Sequence, residues 1–180
     1  TVLVPAYWEL IEPVEGKFSF TEVDDAIRLA RKNNLKVVFL WFGAWKNSMS
    51  CYAPQWIKTN RKKYPYAKSK DGQTQEILSP FAEANLQADC NAFVQLMSHL
   101  KAVDEQEGTV LMVQVENEIG MIPDARDHSD EANRLFKDNV PDALMQYLKK
   151  NKKQLHPSMD KKWQSGNYAG KGNWNTLFGD

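Results

Sequence analysis

The sequence predicts an α/β chain built from repeated strand–helix units, and three observations carry that expectation. Short apolar runs occur at Thr1–Val4, Lys36–Gly43 and Thr109–Val115. Stretches with helical apolar spacing lie between these runs and again after the last of them. The middle run, KVVFLWFG, is continuously apolar, which suits a strand buried on both faces of a parallel sheet.

Taken in order, Thr1–Val4 is a strand that Pro5 stops, and Ala6–Phe20 is a loop with Pro13 and Gly16 as turn residues. Thr21 is placed to cap a helix, with Asp24 as its capping-box partner. Val23, Ala26, Ile27 and Ala30 give that helix its apolar face, and Asn33–Asn34 ends it. The second strand, Lys36–Gly43, runs into a long loop reaching to about Leu78, with a turn or two of helix at Pro54–Lys58. Ser79, Pro80 and Glu83 read as a helix start, and Ala88, Ala92, Phe93, Leu96, Met97 and Leu100 as its inner face. That helix runs to about Val103, Gly108 turns the chain, and the third strand follows. Asp127, Ser129 and Asp130 open a short helix through Phe136, and Pro141 opens another through Lys149. Residues Asn151–Asp180 show little periodicity and read as loop.

Strand–helix repetition leads to parallel strands with crossover helices. An open sheet that binds nucleotides would carry a glycine-rich turn after its first strand, and none is present. Polar and aromatic residues instead follow every strand, which is the layout of a (β/α)8 TIM barrel, whose active site gathers at the C-terminal ends of its strands. A complete barrel takes about 250 residues. The 180 residues are therefore expected to be a fragment of a single (β/α)8 domain, about half of it. The rest of the barrel is expected to be required for function.

Composition narrows the partners. Twenty-three basic and 23 acidic side chains leave a formal net charge of zero, which gives no support to a nucleic-acid or anionic-membrane partner. No apolar run has the length of a membrane-spanning helix. His99, His128 and His156 are scattered without metal-ligand spacing, and no metal or organic cofactor is expected. Cys51 and Cys90 are expected to be free, buried thiols. Aromatic residues in predicted loops, Trp8, Trp45, Tyr52 and Trp56, suit sugars, whose C–H faces stack on rings.

The chemistry concentrates at the end of the third strand, in TVLMVQVENEIG. Alternation puts Gln114, Glu116 and Glu118 on one side and Val113, Val115 and Asn117 on the other, loosening as the strand ends. Two acids on one strand are stacked along it rather than set across a substrate. Glu116 is therefore expected to support the site, and Glu118 to be the acid that acts. A carboxyl group in apolar surroundings or beside a second carboxylate can keep its proton near neutral pH. Such a group is the proton donor of glycoside hydrolysis.

Four motifs then point to a family. VQVENEIG at Val113–Gly120 resembles the acid/base motif of family 35 glycoside hydrolases, the β-galactosidases of a large retaining (β/α)8 clan. WELIEPVEGKFSF at Trp8–Phe20 resembles the segment after the second strand in that clan. FLWFGAWKN at Phe39–Asn47 and EILSPF at Glu76–Phe81 resemble a microbial branch of family 35. The phrase EP-x-E-G-x-F, here Glu12–Phe18, is shared with family 42 galactosidases and keeps that family open, together with clan endo-glucanases, mannanases and a non-catalytic carbohydrate-binding barrel.

The resemblance implies a retaining β-galactosidase releasing terminal β-linked galactose from oligosaccharides or polysaccharide side chains. It implies that Glu118 is the general acid/base and that Asn117 binds the sugar 2-hydroxyl. Trp45, Lys46 and Asn47 fall where the third-strand loop contacts the sugar, although the Cys-Ala-Glu of animal-type members is absent there. Tyr7 stands in for a tyrosine that aligns with Leu3 or Pro5. By the same resemblance, residues 1–180 correspond to approximately strands 2 to 4, with their helices, of a single (β/α)8 catalytic domain. The nucleophile, a glutamate at the end of the seventh strand, would lie outside them, so the fragment alone is expected to be inactive. Polysaccharide substrates imply a periplasmic or secreted parent.

Overall fold

Along the chain the elements run β1 (Val2–Tyr7), α1 (Trp8–Ile11), α2 (Thr21–Lys32), β2 (Val37–Phe42), α3 (Gln55–Lys58), β3 (Tyr66–Lys68), β4 (Thr74–Leu78), α4 (Glu83–Asp104) and β5 (Val110–Val115). Helices α5 (Asp130–Lys137) and α6 (Asp142–Lys150), a 3₁₀ turn at Lys152–Gln154, α7 (Pro157–Ser165) and α8 (Trp174–Phe178) complete it. The structure is a computed structural model and describes residues 1–47, 50–121 and 124–179. Two compact units divide the chain, Thr1–Ser129 and a second that starts at Asp130.

The first unit is a partial (β/α)8 barrel. Its strands β1, β2 and β5 form a parallel sheet in the order β1-β2-β5. In β2, Val37, Phe39 and Trp41 are buried against the helical layer, where Val23, Ile27 and Ala30 of α2 and Ala92, Leu96 and Leu100 of α4 join them in one core. Register carries that alternation across the sheet: Val4 and Ala6 pair with Phe39 and Trp41, and Tyr7 pairs with Phe42. Tyr7 and Phe42 thus share the opposite face at the C-terminal ends of their strands. On the flanking strands, Leu3, Leu111, Met112 and Val115 are exposed.

Several local expectations change. Thr21 is the first residue of α2, not its cap, and Phe20 holds the cap position without a side-chain bond. The box fails because Asp24 is taken by His99, whose Nε2 lies 2.6 Å from Oδ1. Likewise α4 starts at Glu83 rather than Pro80. The Ser79 hydroxyl donates to Asp127 Oδ2 at 2.6 Å instead of capping the helix. Within the expected loop from Ala44 to Leu78, β3 and β4 form an antiparallel hairpin. Its turn holds Gly72 at φ 85°, a conformation that glycine adopts without steric cost. Alternation over three and five residues is too short to stand out in the sequence. Of the two free thiols Cys51 is buried as expected, but Cys90 is exposed on α4.

Asp104 fastens the end of α4 to the start of β5. It accepts the Val110 amide at 2.7 Å and the Arg31 guanidinium at 2.6 Å. Burial alone would raise its carboxyl, but the Val110 amide and the Arg31 guanidinium outweigh that and hold it below the usual carboxylate range.

The second unit corrects the expectation of loop after Asn151. Pro157 opens α7 behind His156, whose ring accepts the Ser158 amide, and Asn173 caps α8 by accepting the Thr176 amide. Val140, Met145, Leu148, Trp163, Leu177 and Phe178 form its core. These helices are only nine and five residues long, so apolar periodicity has little room to show. Among the described residues no helix is long and apolar enough to cross a membrane.

Candidate active site

The C-terminal ends of β1, β2 and β5 assemble the site. β5 stops at Val115 because the next residue leaves the extended region: Glu116 has φ 58° and Glu118 φ 36°. Non-glycine residues enter the left-handed region at a cost and stay there only when their surroundings hold them. Here the alternation expected through Glu118 ends one residue into that turn.

The first two residues of the turn have separate anchors. Glu116 Oε2 accepts the Trp45 amide at 2.8 Å. Asn117 Nδ2 donates to the Lys46 carbonyl at 2.9 Å, and its Oδ1 accepts from Gln114 Nε2 at 2.9 Å. The end of β5 is therefore tied to the loop after β2 by side chain and main chain alike. Glu118 follows directly and is exposed.

Among the residues expected at the site, Trp45, Lys46, Asn47 and Asn117 meet where β2 and β5 end. Lys46 places its ammonium 6.0 Å from the Phe42 ring centroid. Asn47 Oδ1 accepts from Ser50 Oγ at 3.0 Å. Tyr7 packs on Phe42 and Tyr52 at centroid distances of 5.8 and 4.6 Å, a cluster of rings beside Lys46. The Trp45 indole takes a different course. It is buried against Ala67 and Ile77 of the hairpin and donates its N–H to the Leu78 carbonyl at 3.1 Å. Trp45 thus bears on the site through its backbone amide.

Sequence reasoning missed Asp89. Trp41 Nε1 donates to its Oδ1 at 2.9 Å, the Ala44 amide lies 3.4 Å from Oδ2, and its carboxyl meets that of Glu116. The signal was present in α4: Asn85, Asp89, Ala92, Leu96 and Leu100 recur at inward helical spacing, with polar residues at the first two positions. Burial, and next the Asp89 carboxyl, raise the Glu116 carboxyl well above the usual carboxylate range. An apolar cleft of about 400 Å³, lined in part by Trp45, Leu78, Pro80 and Ile119, borders both acids and keeps their surroundings poorly solvating.

The loop before α2 is built on Glu12, which is only 2% exposed. Its Oε2 accepts the Trp8 indole N–H at 2.9 Å and its Oε1 accepts the Gly16 amide at 2.8 Å. Gly16 itself has φ 73°. The EP-x-E-G-x-F phrase is therefore a folding instruction for this loop.

Comparison with known proteins identifies the family. The glycoside hydrolase family 42 model, described as β-galactosidase, matches residues 3–171. No curated protein matches the chain. Among solved structures it is similar to the β-galactosidase of the psychrophilic Marinomonas ef1, at 18% identity and TM-score 0.57, over 98% of this chain and 24% of that one. A polyextremophilic β-galactosidase from the Antarctic haloarchaeon Halorubrum lacusprofundi gives 18% identity and TM-score 0.57 over 99% and 24%. A catalytic mutant of a family 42 β-galactosidase from G. stearothermophilus gives 15% and 0.52 over 100% and 23%. The chain thus spans about a quarter of the length of each of these structures. The match corrects the assignment to family 35: the Asn–Glu pair is common to the clan and does not pick the family, and the Glu12–Phe18 phrase had only kept family 42 open as an alternative. The chain belongs to glycoside hydrolase family 42, the β-galactosidase family.

Proposed function

We propose that this chain supplies the general acid/base of a retaining β-galactosidase, with Glu118 in that role and Asn117 as the contact to the sugar 2-hydroxyl. The observation that carries the reading is the turn at the end of β5, where Glu116 and Asn117 are tied to the loop after β2 and Glu118 is presented exposed. Membership of the β-galactosidase family supports the substrate class.

In the first step Glu118 gives its proton to the glycosidic oxygen as the C1–O bond breaks, while a second carboxylate attacks C1 from the opposite face and forms a glycosyl ester. In the second step the Glu118 carboxylate takes a proton from water, whose oxygen attacks C1 and releases the second carboxylate. That mechanism needs the two carboxyls about 5–5.5 Å apart across the sugar. Asp89 and Glu116 are engaged with each other beside α4, so the nucleophile is assigned to a part of the barrel outside these residues. Both compact units belong, in this reading, to one catalytic domain. The exposed apolar side chains Leu3, Leu111, Met112 and Val115 are the surface that its other strands cover.

Lys46, Asn47 and the Tyr7 ring contribute hydroxyl and ring contacts to the sugar, and Trp45 holds Glu116 through its amide. The test is the anomeric configuration of galactose first released from a β-galactoside by the complete enzyme, read by proton NMR. Retention is expected. Glu118→Gln should lower turnover by about 10²–10⁴-fold, the contribution of a positioned acid/base. Release of the inverted anomer, or full activity of the variant, would overturn the proposal.

A further inference from the structure

At the end of β5 two carboxyl groups face one another. Their four oxygens meet three N–H groups: the Trp45 amide on Glu116 Oε2, the Trp41 indole on Asp89 Oδ1 and the Ala44 amide near Asp89 Oδ2. The fourth oxygen, Glu116 Oε1, is buried and has no N–H or hydroxyl partner among the described residues. The Asp89 carboxyl converges on the same point: Glu116 Oε1 lies 2.7 Å from where a Gly43 Cβ would sit, Asp89 Oδ1 nearer still, and the two carboxyls interact. Two carboxylates cannot hydrogen-bond to each other, and one that is protonated can.

We propose that Asp89 and Glu116 share one proton, and that this pair positions Asn117 and Glu118 for the proposed acid/base step, a role that rests on the reading of Glu118 above. The proton completes the hydrogen bonding of the four oxygens. It also removes the repulsion between two ionised groups beside an apolar cleft. Glu116 is held in its left-handed conformation by two ties, one to the loop after β2 and one to α4. That conformation is what swings Asn117 onto the Lys46 carbonyl and sets where Glu118 leaves the strand.

Gly43 makes the arrangement possible. A Cβ there would fall 2.5 Å from Trp41 Nε1 and 2.7 Å from Glu116 Oε1, and closer still to Asp89 Oδ1. The groups facing Glu116 are few. From α4 comes the titratable Asp89, and from the end of β2 and its loop come the Ala44 and Trp45 amides. Lys46 engages this strand end through its carbonyl, with its ammonium directed to the Phe42 ring. Burial and the Asp89 carboxyl together raise the Glu116 carboxyl, as a shared proton requires.

The test follows the carboxyl carbons of labelled Asp and Glu by NMR through a pH titration of the complete enzyme, alongside Glu116→Gln and Glu116→Ala. One transition well above the ordinary carboxylate range is expected, and it should vanish in Glu116→Gln. The glutamine amide can donate to Asp89 while its oxygen still accepts the Trp45 amide. That variant should keep kcat/KM within about threefold, whereas alanine should lose about tenfold or more through misplacement of Glu118. If Glu116→Ala does not fold, Asp89→Ala removes the pair from the other side and should show the same loss of about tenfold or more. Two ordinary carboxylate transitions, or a glutamine variant as damaged as alanine, would overturn the proposal. Full activity in Glu118→Gln with the high transition intact would refute the acid/base reading and leave the shared proton standing.

Discussion

Replacing Gly43 by alanine tests the geometry of the site with one methyl group. The added Cβ would fall 2.5 Å from the Trp41 indole nitrogen and 2.7 Å from Glu116 Oε1, and nearer to Asp89 Oδ1. Carbon does not approach such atoms within about 3 Å, so something must move. Trp41 is 1% exposed and fixed in the core, so the carboxyls must give way. Overpacking a well-filled site costs about 1–3 kcal/mol. Parting a buried hydrogen-bonded pair adds about 1–3 kcal/mol for the group left without a partner. Taking the lower half of each range gives a destabilisation of about 2–4 kcal/mol. Chemical denaturation of variant and parent enzymes would read it, with kcat/KM falling as the end of β5 shifts. Gly72→Ala is the control: its Cβ meets open space at φ 85°, so only backbone strain of about 1 kcal/mol is expected. Equal, small effects for the two substitutions would refute the close approach of the carboxyl pair to Gly43.

Other predictions concern the elements that present the site. Asp104→Ala should cost about 2 kcal/mol, allowing for the partly exposed Arg31 partner. A carboxyl held below its unfolded value stabilises the fold above that value and ceases to do so as pH falls through the folded one. The difference between parent and Asp104→Ala should therefore be full at pH 7 and shrink below the unperturbed value of 3.8, as denaturation midpoints would show. Glu12→Ala strands the Trp8 indole and the Gly16 amide. It should cost about 2–4 kcal/mol and speed proteolysis in the loop between α1 and α2. The isolated 180 residues should not turn over a nitrophenyl galactoside, since the retaining mechanism needs a nucleophile that they are not proposed to hold. Measurable turnover would show that the second carboxylate lies within the chain.

Legibility in the sequence followed the length and uniformity of each pattern. The run KVVFLWFG announced a buried central strand, and β2 spans six of its eight residues. The spacing of Val23, Ile27 and Ala30 was likewise readable, because a twelve-residue helix repeats its face three times. The hairpin of β3 and β4 and the helices after Asn151 were not readable, being too short to establish a period. Caps failed where tertiary partners competed for the same groups. Ser79 is claimed by Asp127 and Asp24 by His99, from 48 and 75 residues away. At the site, the ENE motif drew attention to the end of β5, but the partner of Glu116 comes from α4. The inward spacing of Asp89 with Ala92 and Leu96 marks the face it lies on, but which carboxyl it meets is set only when the helix packs on the sheet. The family was misread: the motifs were matched to family 35, and Glu12–Phe18, whose buried carboxylate shapes a loop, only kept family 42 open, because an Asn–Glu pair shared across the clan does not separate its members.

The role of Glu118 is tested most directly by replacing it with alanine in the complete enzyme and varying the leaving group. A proton donor matters in proportion to how badly the departing oxygen needs a proton. For dinitrophenyl β-galactoside, whose leaving group departs unaided, formation of the glycosyl ester should be almost as fast as in the parent. For lactose it should fall by about 10²–10⁴-fold. An equal loss on both substrates, or none on either, would contradict the assignment of Glu118 as the acid/base.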